Sequence, residues 1–259
     1  MQMPKVTIEN YKQVYDYFCD FQQSTKFIKR WYAFTQFAFR PRLHYATGSH
    51  KDLDLIRDKD YRHIYAFNHQ DNWDGYVFFS VIGTIAPHDV GRIRAMATSA
   101  CFETPFPKAF RNTGYIPVFL KSHHAQSRKH SKHPERLALV PTATKAAFEC
   151  FTSVMVNHHQ NIFICPEGTY NKGAPNTLLP LRSGTAEIAH RVAQINGPVA
   201  ITAIGLAYGK KRQRFVNPRG ASVYVNRSIF IRPEMTVDEI TELLQKRLQS
   251  SVERAVELY

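Results

Sequence analysis

Two short polar segments carry the residue types that proton transfer requires. Asn68-His69-Gln70-Asp71-Asn72-Trp73-Asp74 follows directly on the apolar run Ile64-Tyr65-Ala66-Phe67. A strand over that run delivers His69 to its C-terminal end, the place where α/β proteins hold ligands. A helix beginning near Trp73, capped by Asp71 or Asn72, puts Asp74 in its first turn, and its carboxylate can fold back toward one imidazole nitrogen. Such a pair works as base and orienter: Asp74 fixes the tautomer and stabilises the imidazolium while the other nitrogen takes a proton. The spacing alone discriminates poorly, since a chance His-x4-Asp is expected roughly 0.5 times in a chain of this composition. A second segment adds to it. Asn161-Ile162-Phe163-Ile164 is another strand-like run, ending in Cys165-Pro166-Glu167-Gly168-Thr169. It places a carboxylate, a flexible glycine and a hydroxyl at a second strand end, with Pro166 fixing the turn's entry. Further on, Leu179-Pro180-Leu181-Arg182-Ser183-Gly184 presents a cation just before a helix start, an anion site in outline.

Taken together, these residues resemble the glycerolipid acyltransferases, which acylate glycerol-phosphate, lysophosphatidate and related lipids. His69-x4-Asp74 is similar to that family's first motif and Gly114-Tyr115-Ile116-Pro117-Val118 to its second. Pro166-Glu167-Gly168-Thr169 is similar to the third, and Pro198-Val199 with the following apolar strand to the fourth, in the same order over roughly residues 43 to 235. The resemblance implies O-acyl transfer in phospholipid synthesis, from an acyl thioester on coenzyme A (acyl-CoA) or acyl carrier protein (acyl-ACP) to the hydroxyl of a lysophospholipid acceptor such as lysophosphatidate. The thioester is a co-substrate; no bound cofactor and no metal are implied. His69 and Asp74 become the catalytic pair, and Glu167, Gly168 and Thr169 become substrate-binding, with backbone N–H groups around Gly168 as candidates to stabilise the developing oxyanion. The sequence departs from the family in two places. The second motif usually ends in an arginine that contacts the acceptor phosphate, where this chain has Phe119-Leu120 and then Lys121; the third usually continues with arginine, where this chain has Tyr170. Arginine is the better bidentate phosphate clamp. Lys121, Lys172 and Arg182 are left as the substitute cations, and an uncharged lipid alcohol stays open as acceptor.

The elements that must position these residues follow from periodicity. From Leu43 onward, short apolar runs alternate with longer helical segments, which predicts an α/β domain over residues 43–259 with a mixed, mostly parallel sheet flanked by helices. Strands are expected at Ile64–Phe67, Arg94–Ala97, Ile116–Leu120, Asn161–Cys165, Val199–Ala207 and Ser222–Ile231. Helices are expected at Trp73–Val81, from about Pro141 to His158, at Gly184–Ile195 and at the C-terminus. The last has a start signal, Thr236 with Glu239 three residues on, a capping box. Ahead of the domain, residues 8 to 40 hold eleven of the 33 aromatic residues at helical spacing, which predicts two helices before Pro41. Lys26, Lys29, Arg30, Arg40 and Arg42 flank the second helix, so residues 1–42 read either as a membrane-docking element or as ordinary core helices.

Composition narrows the partners. The 259 residues are 44% apolar and 21% charged, which excludes a disordered or fibrous chain, and the net charge of +13 calls for an anionic partner. Two basic segments, Lys121–Arg136 and Gly209–Gly220, read as surface loops suited to phosphate or to an anionic membrane surface. A basic nucleic-acid-binding protein is the rival reading, but no recognition motif accompanies the charge, and the expected partner set contains no nucleic acid. Cys19, Cys101, Cys150 and Cys165 show neither disulfide patterning nor zinc-ligand spacing, which suits a reducing, cytoplasmic setting. No uncharged stretch is long enough to span a bilayer, so membrane contact is expected to be peripheral, on the inner face.

Overall fold

The computed structural model describes residues 2–71, 73–103, 107–120, 134–169, 171, 176–208 and 220–259. Asn72, Lys121, Tyr170, Lys172 and nearly all of the two basic segments lie outside the described residues. At the end of the first segment Arg136 is described, and it pairs with Glu9.

In chain order the elements are α1 (Tyr11–Asp20), α2 (Thr25–Ala38), β1 (Arg42–Tyr45), α3 (Ser49–Asp58), β2 (Arg62–Phe67), α4 (Asp74–Ile85), β3 (Ile93–Thr98), α5 (Pro107–Asn112) and β4 (Tyr115–Val118). They continue with α6 (Pro134–Asn157), β5 (Asn161–Ile164), α7 (Gly184–Asn196), β6 (Val199–Ala207), β7 (Ser222–Ile231) and α8 (Val237–Glu257). The strands form one seven-stranded sheet in the order β1-β7-β6-β2-β5-β3-β4. Every neighbouring pair is parallel except β6 with β7. The chain is therefore α/β, with a mixed, mostly parallel sheet flanked by helices and an aromatic-rich helical element before it. Central strands covered on both faces read as unbroken apolar runs. Accordingly β6 is buried at all nine of its positions.

Alternation along β2 divides the core in two. Ile64 and Ala66 face a cluster with Val14, Tyr15 and Phe18 of α1, Ala147, Phe151 and Val154 of α6, and residues of α7 and α8. Tyr65 and Phe67 face the other side, with Ile28 and Tyr32 of α2 and Val77, Phe78 and Phe79 of α4. The two N-terminal helices thus cover opposite faces of the sheet, and the four residues between them pass beneath the N-terminal end of β3, where Gln23 Nε2 donates to the Ile93 carbonyl at 3.2 Å. Residue 42, where the sequence divides the chain, is the first residue of β1. Among the described residues no helix is long and apolar enough to cross a membrane.

Four elements differ from the sequence reading, one of them the short α5, which no spacing signalled. β1 and α3 were not expected: β1 is a four-residue edge strand with no buried position, and the charged α3 has only a thin apolar stripe, Leu53 and Ile56. Tertiary contact holds α3 instead, since buried Asp52 accepts from Arg227 Nε and Nη2 at 2.5 and 2.8 Å and from the Ser228 N–H at 3.0 Å. α6 begins at Pro134 and runs through Pro141. That proline forfeits one intrahelical bond, and the stripe Val140, Ala143, Ala147, Phe151, Val154, buried throughout, keeps the helix continuous across it. The capping box forms as read: Glu239 N–H donates to Thr236 Oγ1 at 3.2 Å and Thr236 N–H to Glu239 Oε2 at 2.7 Å.

Candidate active site

β6, β2 and β5 are adjacent and parallel, so the chain leaves all three at one rim of the sheet. Asn68, fully buried, clamps the exit from β2 to β6. Its amide donates to the Leu206 carbonyl at 2.9 Å and accepts from the Leu206 N–H at 2.7 Å. His69 is then fixed on the other side, its N–H directed at Glu167 Oε1 at 3.4 Å and its carbonyl accepting from the Asn171 N–H at 2.9 Å. The rim thus joins the two polar segments through main chain as well as side chain.

His69 Nδ1 lies 2.8 Å from Asp74 Oδ2, and the imidazole keeps 28% of its surface exposed against 1% for Asp74. Oδ2 also accepts the N–H groups of Gln70 and Asp71 at 2.5 and 2.8 Å, and Oδ1 accepts the Tyr208 hydroxyl at 2.6 Å. A buried carboxylate needs such a shell. With a carboxylate opposite Nδ1, that nitrogen carries the hydrogen and Nε2 is the basic one. Among the described residues the Asp71 side chain accepts from the Trp73 N–H, at 3.4 Å, while the expected alternative cap, Asn72, is outside them. Gly75, next in α4, cannot bear a side chain because the Tyr115 hydroxyl, from the Gly-Tyr-Ile-Pro-Val segment, fills that space.

Glu167 is 2% exposed, tucked under the His69 backbone with Oε2 making no hydrogen bond to a described residue. Burial above all, with the charge of Asp74, pushes its carboxyl up to about 8 against the opposing His69 and Leu179 amides. Near neutral pH the group is therefore largely a carboxylic acid, a donor as well as an acceptor. The neighbouring Cys165 thiol is pushed well above its ordinary range by burial and by the charges of Asp74 and Glu167, which makes it a poor nucleophile.

Gly168 adopts φ +66°, a left-handed conformation open to glycine, and its N–H donates to the Cys165 carbonyl at 3.0 Å. That N–H is spent on the turn, which leaves the other N–H groups around Gly168 as candidates to face an oxyanion. The room glycine leaves is taken by Arg182, whose Cδ and Nε lie 2.9 Å from where a Cβ would stand, and whose N–H donates to the Pro166 carbonyl at 2.9 Å. Arg182 is exposed and forms no ion pair with a described residue, and Thr169 is exposed beside it. The structure thus brings His69, Asp74, Glu167, Gly168, Thr169 and Arg182 to one rim; Lys121 and Lys172 fall outside the described residues.

Sequence reasoning missed the supports. Asn176 exchanges two hydrogen bonds with the Tyr208 backbone, at 2.9 and 3.0 Å, and donates its own N–H to Gln70 Oε1 at 2.7 Å. Gln70 Nε2 in turn donates to the Thr177 carbonyl at 3.1 Å. The rule that found His69 would have found Tyr208, the first polar residue after the apolar run of β6.

An aromatic surface runs up to this rim. Phe34 and Phe37 on the outer side of α2 are 53% and 72% exposed, and Trp73, one residue before Asp74, is 39% exposed. Trp31 links Phe34 to Tyr76 at ring separations of 5.9 and 5.6 Å, and Tyr76 stands 5.5 Å from Trp73. Arg40 lies 5.5 Å from the Phe37 ring centre.

No family model matches this chain. No curated protein matches it either. What the rim offers chemically is an oriented, accessible imidazole, a neutral carboxylic acid beneath it and an exposed guanidinium alongside.

Proposed function

We propose that the protein is an O-acyltransferase that moves a fatty acyl group from an acyl thioester to the hydroxyl of a lipid acceptor while docked on a membrane surface. The observation that carries this reading is the His69–Asp74 pair, 2.8 Å apart with the carboxylate buried and the imidazole reachable, at the rim that also holds Glu167 and Arg182. The motif order resembling the glycerolipid acyltransferases supports the same chemistry.

In this mechanism His69 Nε2 takes the proton from the acceptor hydroxyl as its oxygen attacks the thioester carbonyl. The tetrahedral intermediate collapses, the C–S bond breaks, and the imidazolium returns the proton to the departing thiolate. Asp74 holds the ring and balances the transient positive charge. Arg182, above Gly168 and with no ion pair to a described residue, takes the acceptor phosphate in place of the arginines missing after Val118 and Thr169. The aromatic surface of Phe34, Phe37 and Trp73, fringed by Arg40, seats in the interface and brings the acceptor to the rim. The donor is acyl-CoA or acyl-ACP.

The test is an acceptor screen with labelled acyl-CoA and acyl-ACP against lysophosphatidate, glycerol 3-phosphate and uncharged lipid alcohols, comparing the native chain with Arg182→Ala. Transfer to a phosphate-bearing acceptor, with KM raised about tenfold or more in the variant, supports the reading. Transfer only to uncharged alcohols, unaffected by Arg182→Ala, removes the phosphate site. No transfer to any acceptor removes the reading itself.

A further inference from the structure

Two thiols meet where α1 packs against α6. Cys150, on α6 and 2% exposed, directs its Sγ at the Tyr15 carbonyl of α1, 3.8 Å away. Cys19 stands one turn further along α1. Because the Cα–Cβ bonds of a helix tilt toward its N-terminus, the Cys19 side chain leans back over the turn of Tyr15, where that sulfur lies. The two thiols share a hydrogen bond, and this contact, then burial, pushes the Cys150 thiol well above its ordinary range, against the pull of Arg94. Both cysteines are free thiols.

The two sides of the pair differ. Cys150 belongs to the core cluster that holds Val14, Phe18, Ala147 and Phe151. Cys19 is half-buried and borders a polar cavity of about 210 Å³ beneath the turn between α1 and α2. That volume is several times the share of one water in the liquid, about 30 Å³. Hydrogen peroxide, little larger than water, fits there.

Arg94, the second residue of β3, lines the same cavity and is 1% exposed. Its Nε donates to Gln160 Oε1 at 2.6 Å and its Nη2 to the Phe21 carbonyl. Burial pulls the guanidinium down to about 10, and the groups that draw it back are the thiols of Cys150 and Cys19, with no carboxylate among them. Arg94 is thus a cation at neutral pH whose field falls on two sulfurs. A cation beside a partly exposed thiol favours the thiolate, the form through which cysteine is oxidised.

We propose that Cys19 and Cys150 are a peroxide-sensitive pair, converted to a disulfide that fastens α1 to α6. In the first step the Cys19 thiolate attacks one oxygen of hydrogen peroxide and the O–O bond breaks. Cys19 becomes a sulfenic acid, and the departing hydroxide takes up the proton that the thiol released. In the second step the Cys150 sulfur gives up its proton and attacks the Cys19 sulfur. The S–O bond breaks and a second water leaves. Two thiols are oxidised to one disulfide while one peroxide is reduced to two waters, and a thiol reductant such as glutathione reverses the change. The cross-link stabilises the fold by restricting the unfolded chain between α1 and α6. It does not depend on the chemistry at His69.

The test treats the full chain with hydrogen peroxide, then alkylates it in denaturant and maps it by mass spectrometry. Alkylatable thiols should fall from four to two, with the fragments bearing Cys19 and Cys150 joined, and dithiothreitol should restore four. The oxidised chain should melt about 5 °C or more above the reduced one. Cys19→Ser and Cys150→Ser should show neither the link nor the shift, while Cys101→Ser combined with Cys165→Ser should keep both. Should Cys150→Ser fail to fold, Cys19→Ser, at the half-buried position, decides. Four thiols left alkylatable overturn the proposal. So do a link through Cys101 or Cys165, a link between two chains, Cys19 carried on to a sulfinic acid with Cys150 still free, or a Cys19–Cys150 link that leaves the Tm unmoved.

Discussion

The Tyr208 hydroxyl donates to one oxygen of Asp74 at 2.6 Å while His69 Nδ1 stands 2.8 Å from the other. The carboxylate is therefore shared between the base it orients and a phenol delivered by a different strand. Removing that phenol leaves more of the carboxylate's charge for the imidazolium. Tyr208→Phe is expected to lower kcat/KM about 5- to 50-fold. These losses correspond to most of a hydrogen bond to a charged group, about 1.5–3 kcal/mol. An unchanged kcat/KM would show that Tyr208 merely fills space.

His69→Ala is expected to cut acyl transfer by about 10²–10⁴-fold, the usual contribution of a general base. Asp74→Asn should cost nearly as much with the fold retained, because it upsets the tautomer and removes the balancing charge. Cys165→Ser should leave the rate within about twofold. Mass spectrometry during turnover should find no acyl group on Cys165, whose thiol is held in its protonated form; a stable acyl-Cys165 would replace the general-base route with a covalent one.

Glu167 should make the protein less stable as pH rises. Its folded carboxyl sits at about 8 against an ordinary 4.5, so the folded state keeps a proton that the unfolded chain releases between those values. The stability this contributes is fully present below pH 4.5 and is lost progressively until pH passes 8. Glu167→Gln keeps the shape and a donor but no ionisation. Its Tm, relative to the native chain, should rise between pH 5 and pH 8; a constant difference across that range would mean that Glu167 is ionised in the fold.

Membrane docking is best tested by point changes, since the inner sides of α1 and α2 belong to the core and deleting them would remove Val14, Phe18, Ile28 and Tyr32 along with the surface. Phe34→Ser combined with Phe37→Ser should weaken binding to anionic liposomes by about tenfold or more, given roughly 1.5–3 kcal/mol for each phenyl group transferred from water. The Tm should hardly change, as both rings are exposed. Unchanged liposome binding would place the contact elsewhere.

What the sequence determined by itself was local. Apolar runs ending in polar residues marked β2, β5 and β6, and Thr236 with Glu239 marked the start of α8, because these signals depend on neighbours a few residues apart. They also marked His69, Asp74, Glu167 and Arg182 as residues at element ends. Tertiary structure decided the rest. That β2 lies between β5 and β6 is a matter of strand order, which no local pattern encodes, and it alone brings Glu167 and Tyr208 against the His69 segment. The fate of the Gly168 N–H depends on a turn closed by Cys165, and the space above that glycine is filled from fourteen residues away by Arg182. Residues 8 to 40 could be read as core or as membrane contact because helical spacing places aromatics on a face without saying what covers it; packing against both faces of the sheet buries Phe18 and Tyr32 and leaves Phe34 and Phe37 outside. α3 had almost no local signal, since its position rests on Asp52 meeting Arg227 from 175 residues away, an interaction that exists only once β7 is in place.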